Sequence, residues 1–68
     1  MTKFGERIRD LRKEKNFSQD DLSKEIGYSQ SAIARWEANL QIPNIEDLTK
    51  FATYFNVSAD YLLGLKDY

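Results

Sequence analysis

Sixty-eight residues suffice for one small domain, which at this size buries only about 60% of the surface its unfolded chain exposes. The chain has no cysteine and no histidine, which removes disulfides, thiolate nucleophiles, imidazole bases and the usual zinc and haem ligands together. Its formal net charge of −1 and pI near 5.3 exclude a uniformly basic surface of the kind that polyanions usually reward. The charge is unevenly spread, however. Within residues 1–15, Lys3, Arg7, Arg9, Arg12, Lys13 and Lys15 outnumber Glu6, Asp10 and Glu14, and the remainder is acidic. No apolar run approaches the roughly 18 residues of a membrane-spanning helix, and MTKFGERIRD lacks the hydrophobic core of a signal peptide, so no membrane association and a cytoplasmic location are expected.

Taken in order, Phe4, Ile8 and Leu11 recur at the period of a helix buried on one side, which predicts a first helix from about Lys3 to Lys15. Lys15 continues the stripe at an end where its charge reaches water. Asn16 is the expected left-handed stop, and Phe17 stands where a staple contact into the next helix is made. Ser18 is an N-cap with Asp21 in the capping-box position, Leu22 and Ile26 share one face, and Gly27 ends the second helix. Ser29 caps the third. The link Gly27-Tyr28-Ser29 thus resembles a helix-turn-helix.

In the third helix Ile33 and Trp36 face inward, with Ala32 bordering them, so Trp36 reads as core and not as a base-stacking platform. Gln30, Ser31, Ala34 and Arg35 face out. Such a face suits a major groove: glutamine pairs with adenine at two points, arginine with guanine, and alanine touches a thymine methyl. On an amphipathic helix taken alone, the same residues read as ordinary solvated positions.

Asn39 supplies the turn after the third helix, and Leu40–Asn44 forms a loop that carries no base. Pro43 bars helix before Asn44, which caps a fourth helix with Glu46 and Asp47 in its first turn. Ile45, Leu48, Phe51, Ala52 and Phe55 trace a wide apolar face, expected to supply the largest share of the core. Asn56 stops that helix. Ser58 caps a short fifth one, with Val57, Tyr61, Leu62 and Leu65 expected inward and Gly64 at its end. The sum is an all-α chain of five helices with no strand signal. Tyr54, Leu63, Leu65 and Tyr68 have no assigned burial partner; they are either scattered exposed residues or a self-association patch.

The run S-Q-x-x-L-x-x-x-I-G-x-S-Q-x-x-I-x-x-W-E-x-N, from Ser18 to Asn39, resembles the helix-turn-helix of the Cro and lambda-repressor-like (XRE) family. Leu11-Arg12-Lys13, Pro43 and Asp60-Tyr61-Leu62-Leu63-Gly64 extend the likeness over essentially the whole chain. The resemblance implies a compact five-helix domain with its core at about residues 3–64 and helix 3 in the major groove. It further implies that Gln30, Ser31, Ala34 and Arg35 meet base edges, while Gln19, Ser29, Asn39 and Lys13 meet phosphates, with Gln19 also supporting Gln30. Asn39 departs from the family pattern, which more often has glycine there. For Arg12 it implies an inward salt bridge with Glu37, against the other reading of a phosphate contact; Arg9, Lys13 and Lys15 read as solvated, with one of them available to phosphate.

The function implied is a sequence-specific, double-stranded DNA-binding transcriptional regulator, a repressor that dimerises on an inverted-repeat operator and is weakly associated without it. No cofactor, metal or catalysis is expected: Asp20 with Asp21, and Glu46 with Asp47, are adjacent and cannot converge on one helix face. The competing reading is a protein-interaction module, antitoxin-like, on the same helical fold.

Overall fold

Among residues 2–68, which the computed structural model describes, the chain forms five helices and no strand: α1 (Phe4–Glu14), α2 (Gln19–Ile26), α3 (Gln30–Glu37), α4 (Ile45–Phe55) and α5 (Ala59–Leu63). The side chains in front of α2 to α5 close their first turns. Ser18 Oγ accepts from the Asp21 amide at 3.0 Å while Asp21 accepts from the Ser18 amide at 2.8 Å, a complete capping box. Ser29, Asn44 and Ser58 accept from Ala32, Asp47 and Tyr61 at 3.1, 2.8 and 3.0 Å. Each such cap contributes about 1 kcal/mol.

The other ends close with left-handed residues: Asn16, Asn39 and Asn56 at φ 59, 60 and 56°, Gly27 and Gly64 at 87 and 82°. After Asn16, Asn39, Asn56 and Gly64, the following amide reaches back to a carbonyl five residues earlier, as in Phe17 to Arg12 at 3.2 Å and Leu40 to Arg35 at 2.9 Å. This Schellman arrangement satisfies carbonyls that a helix end otherwise leaves unpaired. Asparagine tolerates the conformation because its short polar side chain bonds locally, so α3 ends cleanly without the family's glycine.

Burial is shared among the helices. Phe4 and Ile8 come from α1, Leu22 and Ile26 from α2, Ile33 and Trp36 from α3, Phe51 from α4 and Leu62 from α5. α4 contributes more residues to the core than any other helix, with Phe51 fully buried and Leu48, Ala52, Tyr54 and Phe55 half-buried against it, but Ile45, expected on the same face, is 82% exposed. Ile45 opens the helix, beyond the end of the layer it was expected to cover. Leu65, at 72% exposed, likewise points away from the core, because the left-handed Gly64 turns the chain outward before it. α4 also supplies a hub: Phe51 meets Phe4 and Trp36 edge to face, each at 5.3 Å between centroids, and stacks with Tyr28 at 5.5 Å.

Two close contacts fix α3 against α1. Gly5 is buried, and a Cβ there would lie 2.2 Å from the Trp36 carbonyl oxygen, far inside contact distance. Beside this crossing, Arg12 Nε and Nη2 donate to the two oxygens of Glu37 at 2.8 and 2.9 Å, and Nη1 donates to the Phe17 carbonyl at 2.7 Å. Gln19 Nε2 adds a 3.2 Å bond to the same carboxylate. Arg12 and Glu37 are 8% and 9% exposed, so the pair is desolvated, and hydrogen bonding to Glu37 holds the guanidinium pKa above its ordinary value. A bidentate geometry with further partners is what offsets the cost of burying two charges.

Gly5→Ala should lower stability by about 1 to 3 kcal/mol, the usual cost of overpacking. The sign is the test, because in an uncrowded helix interior the same change stabilises by about 1 kcal/mol; a raised urea midpoint would refute the close crossing. Arg12→Ala and Glu37→Ala should each cost about 3 to 5 kcal/mol, since either strands a buried charge. Urea midpoints equal to wild type for both would show that the pair contributes nothing.

Candidate nucleic-acid interface

The fold gives α3 two faces. Ile33, Trp36 and Glu37 are buried against the other helices, whereas Gln30, Ser31 and Arg35 are exposed and Ala34 is half-buried between them. Gln30 with Ala34, and Ser31 with Arg35, are four residues apart and form two adjacent rows. Neutral amide and hydroxyl groups, a methyl and one guanidinium thus stand together on a convex surface, with donors and acceptors of the kind that base edges present.

At the start of α3, Ser29 Oγ is occupied as acceptor by the Ala32 amide, and its hydroxyl hydrogen remains a donor towards solvent. At the start of α2, Asp21 is held below the usual carboxylate range chiefly by the Ser18 backbone N–H, so its charge is absorbed into the cap. Asp20 pairs with Lys24 at 3.1 Å on the exposed side of the same helix. Gln19 is half-buried there, its Nε2 donating to the Glu37 carboxylate that Arg12 has already brought to the α2 start.

Three of Arg12's five N–H donors are bonded to Glu37 and Phe17 and the residue is 8% exposed, which places it in the inward salt bridge and not at a phosphate. Lys13, its neighbour, is exposed and forms no ion pair among the described residues. It stands on α1, apart from the α3 rows. Asn39 is exposed immediately after α3, with its Oδ1 at the Gly5 crossing.

Two residues that the sequence reading did not single out belong to this region. Tyr28, in the turn between α2 and α3, donates to Asp47 Oδ1 at 2.6 Å and packs its ring edge to face with Trp36 at 4.9 Å; burial pushes its phenol pKa up. Gln41 accepts from Arg35 Nε at 3.0 Å. Gly5 carried a signal, a glycine inside an otherwise amphipathic helix, which often marks a close approach. Tyr28 and Gln41 carried none, because each meets a partner set by tertiary structure.

Behind the loop after α3 lies an apolar groove of about 490 Å³, lined by Thr2, Gln41, Ile42, Leu63 and Leu65 over Phe4, Gly5 and Asn39. Among the described residues no cluster of acidic side chains is arranged to hold a metal, and no helix is long and apolar enough to cross a membrane.

Known proteins resemble the chain in sequence and in fold. A helix-turn-helix family model matches residues 8–62. Repressor protein C2 of Salmonella phage P22 is 42% identical over 60 residues, covering 88% of this chain and 28% of that protein. The transcriptional regulator SinR of Bacillus subtilis is 38% identical over 64 residues, 93% of this chain and 58% of SinR. The transcriptional activator BcrR of Enterococcus faecalis is 36% identical over 61 residues, 90% of this chain and 30% of BcrR. The chain therefore spans between somewhat over a quarter and somewhat over half of the length of these relatives. In three dimensions it superposes on the P22 c2 repressor in complex with a synthetic operator at a TM-score of 0.79, covering 88% of this chain and 91% of that one. It superposes on SinR in complex with DNA at 0.78, covering 88% and 97% at 38% identity. With the motif, the five-helix order and these likenesses in agreement, the chain belongs to the helix-turn-helix family of DNA-binding transcription regulators, in its Cro and lambda-repressor-like branch.

Proposed function

We propose that this chain acts as a single helix-turn-helix domain, with its core at residues 3–64, that binds double-stranded DNA sequence-specifically and represses transcription in the cytoplasm by occupying an operator. The observation that carries the reading is the exposed face of α3, whose Gln30, Ser31 and Arg35 are free to meet base edges while Glu37 on its inner side ties the helix to α1. Ala34 between them is the methyl contact. Gln19, Ser29, Asn39 and Lys13 are assigned to phosphates, and the free amides at the α2 and α3 starts favour anions through the helix dipole. The P22 c2 repressor and SinR, both solved with DNA, support the same assignment by likeness.

The acidic balance limits how many counterions one domain can release, so a single copy should hold DNA weakly at physiological salt. Two copies roughly double that contribution and place a second α3 in the next major groove, with half-site centres about 34 to 36 Å apart. A homodimer that forms mainly on DNA is accordingly part of the proposal. The apolar groove and the exposed Leu65 and Tyr68, 72% and 79% accessible, offer its contact surface, with Leu63 half-buried at the groove wall.

Selection of bound duplexes from a random library gives the direct test. Arg35→Ala should weaken binding to the selected duplex by about 1 to 3 kcal/mol and relax preference at one guanine, whereas Lys13→Ala should weaken all duplexes alike. Unchanged base preferences in Arg35→Ala would remove α3 from base reading. On an inverted-repeat duplex the complex should have the mass of two chains, with tighter binding than on a half-site duplex. One chain per DNA on both, with equal affinity, would exclude the symmetric dimer.

A further inference from the structure

We propose that Gln41 is a positioning residue for Arg35, holding the guanidinium so that its two outer nitrogens, and not its Nε, are presented to a base; the inference rests on the base-reading role proposed above for Arg35. The bond itself is direct, from Arg35 Nε to Gln41 Oε1 at 3.0 Å. Both side chains are exposed, so neither needs the bond for burial.

The backbone explains why these two residues meet six positions apart. Asn39 turns left-handed at φ 60°, its amide bonds the Trp36 carbonyl at 3.1 Å, and the Leu40 amide bonds the carbonyl of Arg35 itself at 2.9 Å. The loop is thus folded back along the last turn of α3, with Arg35 as one of its anchors, and Gln41 is delivered beside the arginine side chain.

The chemical consequence concerns how arginine chooses a partner. Its guanidinium carries donors along more than one edge, and an unrestrained arginine on a protein surface also has phosphate oxygens within its long reach. Glutamine's carbonyl occupies Nε and leaves Nη1 and Nη2, whose donors match the O6 and N7 acceptors of guanine. Holding the side chain in one rotamer before contact lowers the conformational entropy lost on binding. Gln41 thereby favours one base without touching DNA.

The probe is the set of duplexes that the wild-type chain selects from a random library, together with the three duplexes altered at the base pair that Arg35→Ala ceases to discriminate. Gln41→Ala should lose about 2- to 10-fold of the discrimination at that pair, the range of one modest hydrogen bond, with the urea midpoint unchanged. Gln41→Glu, which keeps an acceptor for Nε, should retain the discrimination while binding every duplex more weakly through its negative charge. The double variant should discriminate no worse than Arg35→Ala. Discrimination unchanged in Gln41→Ala, relaxed at a different pair, or lost multiplicatively in the double variant would overturn the positioning role and leave base reading by Arg35 standing. Base preferences unaffected by Arg35→Ala would overturn both.

Discussion

The carboxylate of Glu37 collects hydrogen bonds from two directions, a bidentate pair from Arg12 on α1 and a third from Gln19 at the start of α2, and the orientation of α3 depends on it. Because Arg12 also donates to the Phe17 carbonyl, the turn that launches α2 is held by the same side chain. Three helices are therefore registered by one buried junction. Such a pair adds little net stability over an apolar replacement, but its geometry is exacting, and a surface that reads base edges needs its helix placed to within a fraction of an ångström. The glycine crossing serves the same end by another means, since it lets the α1 backbone approach the Trp36 carbonyl more closely than any side chain allows.

Stability in so small a chain comes from many modest, local contributions. Four side-chain caps, five left-handed helix ends and an aromatic cluster centred on Phe51 each add little, yet together they fix where every helix starts and stops. The short α2 and α3 would be marginal in isolation. They persist because their inner faces are buried and their ends are tied, which leaves Gln30, Ser31 and Arg35 on the outer face of α3 exposed to solvent.

That division explains what could be read from the residues alone. Helix ends were legible because serine, asparagine and glycine act locally, through their own side chain or their own φ. The inward and outward faces of α3 followed from spacing. Ile45 departs from its expected burial because periodicity counts an apolar residue without knowing where the neighbouring layer ends, and of the two readings open for Leu65 the exposed one holds. The Tyr28 bond to Asp47 and the Gln41 bond to Arg35 were invisible for a related reason: both partners are ordinary surface residue types, and only the folded path of the chain brings them together. Arg12 and Glu37 were paired in advance through likeness to a family, since nothing in a separation of 25 residues announces a contact.

Trp36 has a consequence outside recognition. It is the chain's one tryptophan, 2% exposed, ringed edge to face by Phe4, Tyr28 and Phe51, and its Nε1 hydrogen has no acceptor among the described residues. An indole so enclosed emits at the short-wavelength end of its fluorescence range and shifts to longer wavelength when water reaches it. The chain thus carries an optical reporter on the inner side of α3, one that responds to loosening of that helix while facing away from its exposed outer side.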